Sequence, residues 1–231
     1  MEYLPKGFTL SIPPNAFPLS TDSMALADFV RLPRNARVLD LGSGCGTLGL
    51  LLCAGNDYCQ VTGVELNPDA HEAALENIVR NNLTHRLFSI CADLRSISAH
   101  FPAGHFSCCV SNPPYFTGGP SSQKYPTARR TDFCSLSELF AAASYALQYG
   151  GDFYLVHKPA QLAEICACAA AVNLEPKRLR LIRHTPEDDI ALIMLQCRKG
   201  GKPGLLWEEL TLKTKEGTPT EDYNRIYHRL P

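Results

Sequence analysis

The sequence predicts an α/β fold in which helices cover both faces of a mostly parallel β-sheet. Two observations predict it. Short apolar runs alternate with helical segments along most of the chain, and polar or Gly-rich residues follow each of the first four runs. In a parallel sheet the carboxyl ends of the strands meet at one edge, where ligands bind. The sequence therefore predicts a ligand site at that edge.

Seven strands are predicted, and no helix separates the last two, so the sheet is expected to carry an antiparallel edge strand. The strands cover residues 37–41, 59–64, 87–91, 106–111, 151–156, 176–182 and 190–198. The helices cover 47–54, 68–82, 136–147 and 161–172. Asn67 followed by Pro68 is a typical helix start, because Asn caps the helix and Pro fits its first turn.

Length and composition predict one domain. The chain has 231 residues, 45% of them hydrophobic, which is sufficient for a single core. We expect a leader with a first helix at 1–35, a catalytic core at 36–200 and a C-terminal extension at 201–231. The sequence has neither an apolar run long enough to cross a membrane nor the pattern of a signal peptide, so a cytoplasmic location is expected. The protein is also expected to be a monomer. The lone Trp207 is expected to pack in a small satellite core.

The ten cysteines are interpreted as free thiols. Most lie in apolar runs and none forms a Cys-x-x-Cys pair, so no metal site is predicted. Buried thiols behave as small hydrophobic side chains in a reducing compartment.

A Gly-rich turn follows the first predicted strand. The run Asp40-Leu41-Gly42-Ser43-Gly44-Cys45-Gly46 places an acid before a Gly-x-Gly-x-Gly turn that leads into a helix. Glycine allows the backbone to turn sharply and to approach a bound nucleoside. The turn therefore predicts a nucleoside cofactor, although dinucleotide enzymes share such turns.

The acids after the next two strands narrow the choice of cofactor. Glu65 ends the second strand, where it can accept hydrogen bonds from a ribose diol, and Asp93 follows the third, where it can accept from an adenine amine. An acid at the position of Glu65 also suits NAD. Acids after three strands, followed by a substrate loop after the fourth, favour S-adenosylmethionine, with S-adenosylhomocysteine as product. The predicted cofactor-binding residues are Asp40, Gly42, Ser43, Gly44, Gly46, Glu65, Leu66, Asp93, Leu94 and Asn112.

The fourth strand leads into Asn112-Pro113-Pro114-Tyr115, the predicted catalytic residues. A planar amide or amino nitrogen is a poor nucleophile, because its lone pair is delocalised. The Asn112 side-chain carbonyl and the Pro113 backbone carbonyl can accept its two N–H bonds and so localise the lone pair. The prolines stiffen the loop, and Tyr115 offers a face for stacking. These residues predict methylation of such a nitrogen.

On these motifs the chain resembles the class I S-adenosylmethionine-dependent methyltransferases with a Rossmann-like fold, in the branch that methylates amino groups. More narrowly it is similar to the tRNA1(Val) adenine N6-methyltransferases, which act on the adenine beside the anticodon. Supporting segments are Pro18–Ala27, Ala128-Arg129-Arg130, Gly200–Gly204 and Tyr223–Tyr227. The resemblance implies tRNA as the substrate.

Basic residues could bind the RNA backbone, although the net charge of the chain is only −1. Lys124, Arg129 and Arg130 follow the substrate motif within a long irregular loop at 113–135, and with Tyr115 they form the predicted substrate site. A second set of basic residues lies at alternating positions along the predicted strand at 177–184. These residues either contact phosphates or keep an edge strand solvated. His157 and Lys158 end the fifth strand, at the edge of the sheet that holds the site.

Three other functions remain open at this stage. A protein glutamine N5-methyltransferase uses the same catalytic motif, but usually carries a helical domain before the cofactor turn, and only about 36 residues precede Arg37 here. An rRNA guanine N2-methyltransferase tends to have Phe in place of Tyr115. A binding module without activity would not need the intact motif and its acids.

Overall fold

The computed structural model of the chain describes residues 1–13, 18–114 and 134–227. The strands of this part are β1 (Glu2–Tyr3), β2 (Thr9–Leu10), β3 (Arg37–Leu41), β4 (Gln60–Glu65), β5 (Leu87–Cys91), β6 (Phe106–Ser111), β7 (Leu147–His157), β8 (Leu174–Arg183), β9 (Leu192–Lys199) and β10 (Leu206–Thr211). The helices are α1 (Thr21–Phe29), α2 (Thr47–Gly55), α3 (Pro68–Arg80), α4 (Leu136–Ala146), α5 (Leu162–Ala171) and α6 (Glu221–Ile226).

The main sheet confirms the predicted class I fold. Its strand order is β10-β8-β9-β7-β6-β3-β4-β5, and β1 and β2 form a separate two-stranded sheet. Strand β9 runs antiparallel to both β7 and β8, whereas the other pairings in the main sheet are parallel. The carboxyl ends of β3, β4, β5 and β6 therefore meet at one edge, as predicted.

Among the described residues the main sheet has eight strands rather than the seven predicted. The additional strand, β10, comes from the predicted C-terminal extension and pairs with β8. Its sequence signal is weak, because it forms the outer edge and most of its side chains are exposed. Trp207 lies on this strand and is 68% exposed, so the prediction that it packs in a core was wrong.

The hydrophobic core fills both faces of the sheet, because alternate strand residues point to opposite sides. On β3, for example, Val38 packs in the cluster that includes α1 and α2, and Leu39 packs in the cluster that includes α4 and α5. Within the described residues, no helix is both long and apolar enough to cross a membrane.

Helix α1 is attached to the sheet by a partly buried charge network. Arg180 on β8 contacts Asp28 at 2.7 Å and Glu208 at 2.8 Å, and Arg225 on α6 contacts Asp28 at 3.0 Å. Burial opposes the ionisation of Asp28, but hydrogen bonds from Arg225 and Arg180 hold its pKa below the ordinary value. The guanidinium groups of Arg178 and Arg180 lie over the ring of Phe29.

These contacts change the interpretation of the basic set at 177–184. Strand β8 is not at the edge of the sheet, since β10 covers it. Arg180 is only 7% exposed and is ion-paired on two sides. Arg178 also pairs with Glu208. These two arginines therefore stabilise the packing of α1, and neither of the two roles predicted for them, phosphate contact or solvation of an edge strand, describes them.

Candidate active site

The Gly-rich turn after β3 has the conformation that its glycines permit. Gly42, Gly44 and Gly46 have φ angles of 76°, 55° and 84°, in the left-handed region that favours glycine. A Cβ atom added at Gly42 or Gly44 would meet no atom within 4 Å. The turn therefore borders open space at the carboxyl edge of the sheet, where a ligand can approach the backbone.

Glu65 joins two turns at this edge. Its Oε2 accepts from the backbone N–H of Gly44 at 2.8 Å, and its Oε1 accepts from the backbone N–H of Asn67 at 2.8 Å. Asn67 in turn caps α3, its side-chain oxygen accepting from the amides of Asp69 and Ala70. The half-buried carboxylate thus holds the cofactor turn against the start of α3.

Asp40 lies beneath the same turn, on β3 between Val110 of β6 and Gly63 of β4. Burial, together with the charge of Glu65, raises the pKa of Asp40 to about 8. Among the described residues, neither carboxylate oxygen of Asp40 nor the hydroxyl of Ser43 has a hydrogen-bond partner. Buried polar groups without partners are costly, so these atoms favour a polar or cationic group placed at the turn.

The third predicted acid, Asp93, follows β5 and accepts hydrogen bonds from Arg95. The Arg95 guanidinium binds side-on, with Nε 2.8 Å from Asp93 Oδ2, and the Arg95 backbone N–H donates to Oδ1 at 2.9 Å. These hydrogen bonds lower the pKa of Asp93. Leu66 is 45% exposed and Leu94 is half-buried, so both side chains have surface available after β4 and β5.

The start of the substrate motif is fixed to the cofactor turn. Ser111, the last residue of β6, is fully buried, and its hydroxyl donates to the carbonyl oxygen of Leu41, the last residue of β3, at 2.7 Å. Because β3 and β6 are neighbours, this bond ties the residue before Asn112 to the residue before Gly42. The predicted cofactor turn and the predicted catalytic loop therefore begin side by side.

Helix α1 also holds Asn112. Its Nδ2 donates to Ser23 Oγ at 3.0 Å, and Ser23 is buried. With Nδ2 directed at Ser23, the side-chain carbonyl of Asn112 lies at the opposite corner of the amide plane. Pro113 and Pro114 follow as half-buried residues. Tyr115, Lys124, Arg129 and Arg130 lie outside the described residues, and their roles stay predictions.

Two positioning contacts could not be recognised in the sequence. Ser23 and Ser111 are ordinary small polar residues, and their importance arises only from long-range contacts with Asn112 and Leu41. His157, at the end of β7, is buried, and burial lowers its pKa.

A family model described as "Methyltransferase small domain" matches residues 19–167, from two residues before α1 into α5. The match covers more than half of the chain. The chain belongs to the methyltransferase small domain family.

Two curated proteins named tRNA1(Val) (adenine(37)-N6)-methyltransferase are similar to this chain. The protein of Bacteroides fragilis is 32% identical over 78% of this chain and 77% of its own length. The protein of Shewanella halifaxensis is 31% identical over 68% of this chain and 64% of its own length. The resemblance to the tRNA1(Val) enzymes predicted from the motifs is thereby confirmed.

Solved structures support the same fold. A crystal structure of a predicted O-methyltransferase from Agrobacterium tumefaciens matches with a TM-score of 0.75 at 22% identity, covering 90% of this chain and 95% of that one. The family and the fold together identify this methyltransferase small domain protein as an S-adenosylmethionine-dependent methyltransferase.

Proposed function

We propose that this methyltransferase transfers the methyl group of S-adenosylmethionine to N6 of an adenine in tRNA, beside the anticodon. The observation that carries the proposal is the placement of Asn112. Its amide is anchored by Ser23, and the residue before it is bonded to the end of β3, next to the cofactor turn. A hydrogen-bond acceptor for an amino nitrogen thus lies beside the predicted methyl-donor site.

The residues at the turn fit the cofactor. Glu65 would accept from the ribose hydroxyls, and Asp93, Leu66 and Leu94 would surround the adenine. The backbone of the glycine turn would border the methionine part. The positive charge of that part would favour ionisation of the buried Asp40 carboxyl, whose pKa is raised in the ligand-free protein. When bound, the cofactor supplies a methyl group on a positively charged sulfur.

The chemistry assigned to the protein's own residues is the alignment of the nucleophile. The amino group of adenine is planar because its lone pair is delocalised into the ring. If Asn112 and the carbonyl of Pro113 accept its two N–H bonds, the lone pair is directed out of the ring plane. Acceptors fixed in advance stabilise the transition state without reorganising during the reaction. The proton can leave after transfer, so no strong base is required.

An RNA substrate is supported by the names of the curated relatives and by the residues that follow the motif. Tyr115 would stack on the extruded base, and Lys124, Arg129 and Arg130 would contact phosphates. An unpaired loop base is extruded at low cost, and its Watson–Crick edge is then exposed to the enzyme.

The test is methylation of tRNA by the wild-type protein and by the Arg129→Ala, Arg130→Ala double variant. The wild-type protein should form N6-methyladenosine in tRNA. The double variant should bind RNA more weakly and with a smaller salt dependence, because removing one phosphate-binding side chain lowers the salt slope by about one unit or less. An unchanged salt slope would show that these arginines do not contact the RNA phosphates. Absence of N6-methyladenosine with the wild-type protein would contradict the proposed function itself.

A further inference from the structure

A cavity of about 830 Å³ lies at the carboxyl edge of the sheet, on the opposite side of β7 from the cofactor turn. Lys158, which follows β7, and His184, which follows β8, both line it. Strand β9 runs between β7 and β8, and its Ile193 pairs with His157 on one side and Leu181 on the other. Two strand spacings, about 10 Å, therefore separate the two strands that carry these basic residues.

The first turn of α1 forms the wall between this cavity and the catalytic loop. Ser20, Thr21 and Asp22 line the cavity, whereas Ser23, the next residue, holds Asn112. The residue that holds Asn112 and these cavity-lining residues therefore belong to the same first turn of α1. A polynucleotide strand with its target base at Asn112 would thus have an adjoining nucleotide at the cavity.

The lining of the cavity is chemically mixed. Lys158 and His184 can contact a phosphate, and Tyr3, which is 84% exposed, can stack on a base. Glu2 and Asp22 also line the cavity. These carboxylates would repel an isolated phosphate, but they accept hydrogen bonds from ribose hydroxyls and base amines. The combination matches a ribonucleotide better than a simple anion.

The far side of the cavity is fixed by the C-terminal helix. The hydroxyls of Tyr227, which follows α6, and Thr21 on α1 are 2.6 Å apart, and the ring centroids of Tyr227 and Tyr223 are 4.4 Å apart in a stacked arrangement. The backbone N–H of Lys213 donates to the carbonyl of His184 at 2.8 Å, which holds the segment after β10 against the end of β8. The cavity therefore has structured walls on the α1, β8 and α6 sides.

We infer that this cavity binds a nucleotide of the RNA strand that adjoins the methylated adenine, with its phosphate near Lys158 and His184. The inference rests on the proposed function and extends it by assigning a second substrate contact outside the catalytic motif. The predicted effect of the cavity is on RNA affinity, because its residues lie apart from Asn112 and from the cofactor turn.

The experiment measures methylation kinetics on an anticodon stem-loop RNA with the Lys158→Gln, His184→Gln double variant. Glutamine retains a side-chain donor, which matters because Lys158 Nζ donates to the carbonyl of Ala191 at 3.4 Å. The matched control is Arg34→Gln, Arg37→Gln, which removes two basic residues that are exposed at the amino edge of the sheet. Thermal unfolding and affinity for S-adenosylhomocysteine show whether each variant is folded.

The cavity variant should raise the KM for the RNA by about tenfold, which corresponds to about 1.4 kcal/mol. Its kcat should stay within about twofold of wild type, and its affinity for S-adenosylhomocysteine should be unchanged. The control should retain the wild-type KM. If the cavity variant has the same KM as the control while wild type methylates the RNA, the cavity is not a substrate site. If wild type methylates no RNA adenine, the proposed function is wrong and the inference is overturned with it.

Discussion

The side-chain amide of Asn112 and the hydroxyl of Ser23 form a hydrogen bond of 3.0 Å across 89 positions of the sequence. The bond connects the loop after β6 to the first helix, which is itself attached to β8 and α6 through Asp28. The helices α1 and α6 and strand β8 therefore contribute to the orientation of the Asn112 amide, the predicted catalytic group.

Replacing Asn112 with Ala should separate catalysis from cofactor binding. The variant loses an acceptor for the substrate amino group, so turnover should fall by about two to three orders of magnitude. Affinity for S-adenosylhomocysteine should change by no more than a few-fold, because Glu65 and the glycine turn remain. Single-turnover kinetics and calorimetry measure the two quantities. A variant that methylates at the wild-type rate would refute the role of Asn112.

Ser23→Ala should leave Asn112 in place but remove the acceptor of its Nδ2. The amide then loses this anchoring contact, and kcat should fall by about tenfold, since less precise positioning reduces the rate. Ser23→Thr retains the hydroxyl and should recover most of the activity. Ser144→Ala is the matched control, because its hydroxyl donates to the carbonyl of Val172 away from the site. Equal effects of Ser23→Ala and Ser144→Ala on kcat would assign Ser23 a merely structural role.

Glu65→Ala should weaken the binding of S-adenosylhomocysteine by about 2–3 kcal/mol, roughly 30- to 150-fold. The expected loss has two sources: the ribose hydroxyls lose an acceptor, and the Gly44 amide loses the carboxylate that holds the turn. Calorimetry with Glu76→Ala, an exposed acid on α3, as control measures the effect. Binding by Glu65→Ala as tight as by that control would contradict the assignment of the cofactor site.

Asp40→Asn should stabilise the ligand-free protein at neutral and mildly alkaline pH. Burial raises the pKa of Asp40 to about 8, whereas the unfolded carboxyl keeps its ordinary value of 3.8. Between these two pH values the folded protein retains a proton that the unfolded chain has released, so wild-type stability falls as pH rises. The advantage of the variant should grow by about 1.4 kcal/mol per pH unit and level off above about pH 8.

Denaturant unfolding of both proteins from about pH 6 to about pH 9 tests this expectation. The same variant should bind S-adenosylmethionine more weakly, because Asn has no proton to release in response to the positive charge of the ligand, whereas the Asp40 carboxyl does. A stability difference that does not depend on pH would show that Asp40 is ionised in the folded protein throughout this range.

Much of the fold could be predicted because buried parallel strands are continuous apolar runs. The predicted strands 37–41, 87–91 and 106–111 have the bounds of β3, β5 and β6. The cofactor turn and the catalytic loop follow such strands directly. Their relative placement at the carboxyl edge follows from the parallel topology alone.

The other features of the structure depend on long-range contacts, which local sequence patterns do not indicate. Strand β10 lacks a continuous apolar run because it forms the exposed edge of the sheet. Arg180 resembles a surface charge in the sequence, yet it is buried between Asp28 and Glu208, which are 152 and 28 positions away. Strand β7 begins at Leu147, directly after α4, and its pairing with β6 shifts register between Phe106 and Cys108. Because of this irregularity, the first residues of β7 lack a regular strand pattern, and the predicted strand began only at 151.

The measurement that tests the central claim most directly is the distribution of label from methyl-labelled S-adenosylmethionine among total tRNA, rRNA and protein. We expect label in tRNA, released as N6-methyladenosine when the tRNA is digested to nucleosides, and a rate of labelling about two to three orders of magnitude lower with Asn112→Ala. Label recovered instead as methylated glutamine in protein, or as N2-methylguanosine in rRNA, would contradict the account.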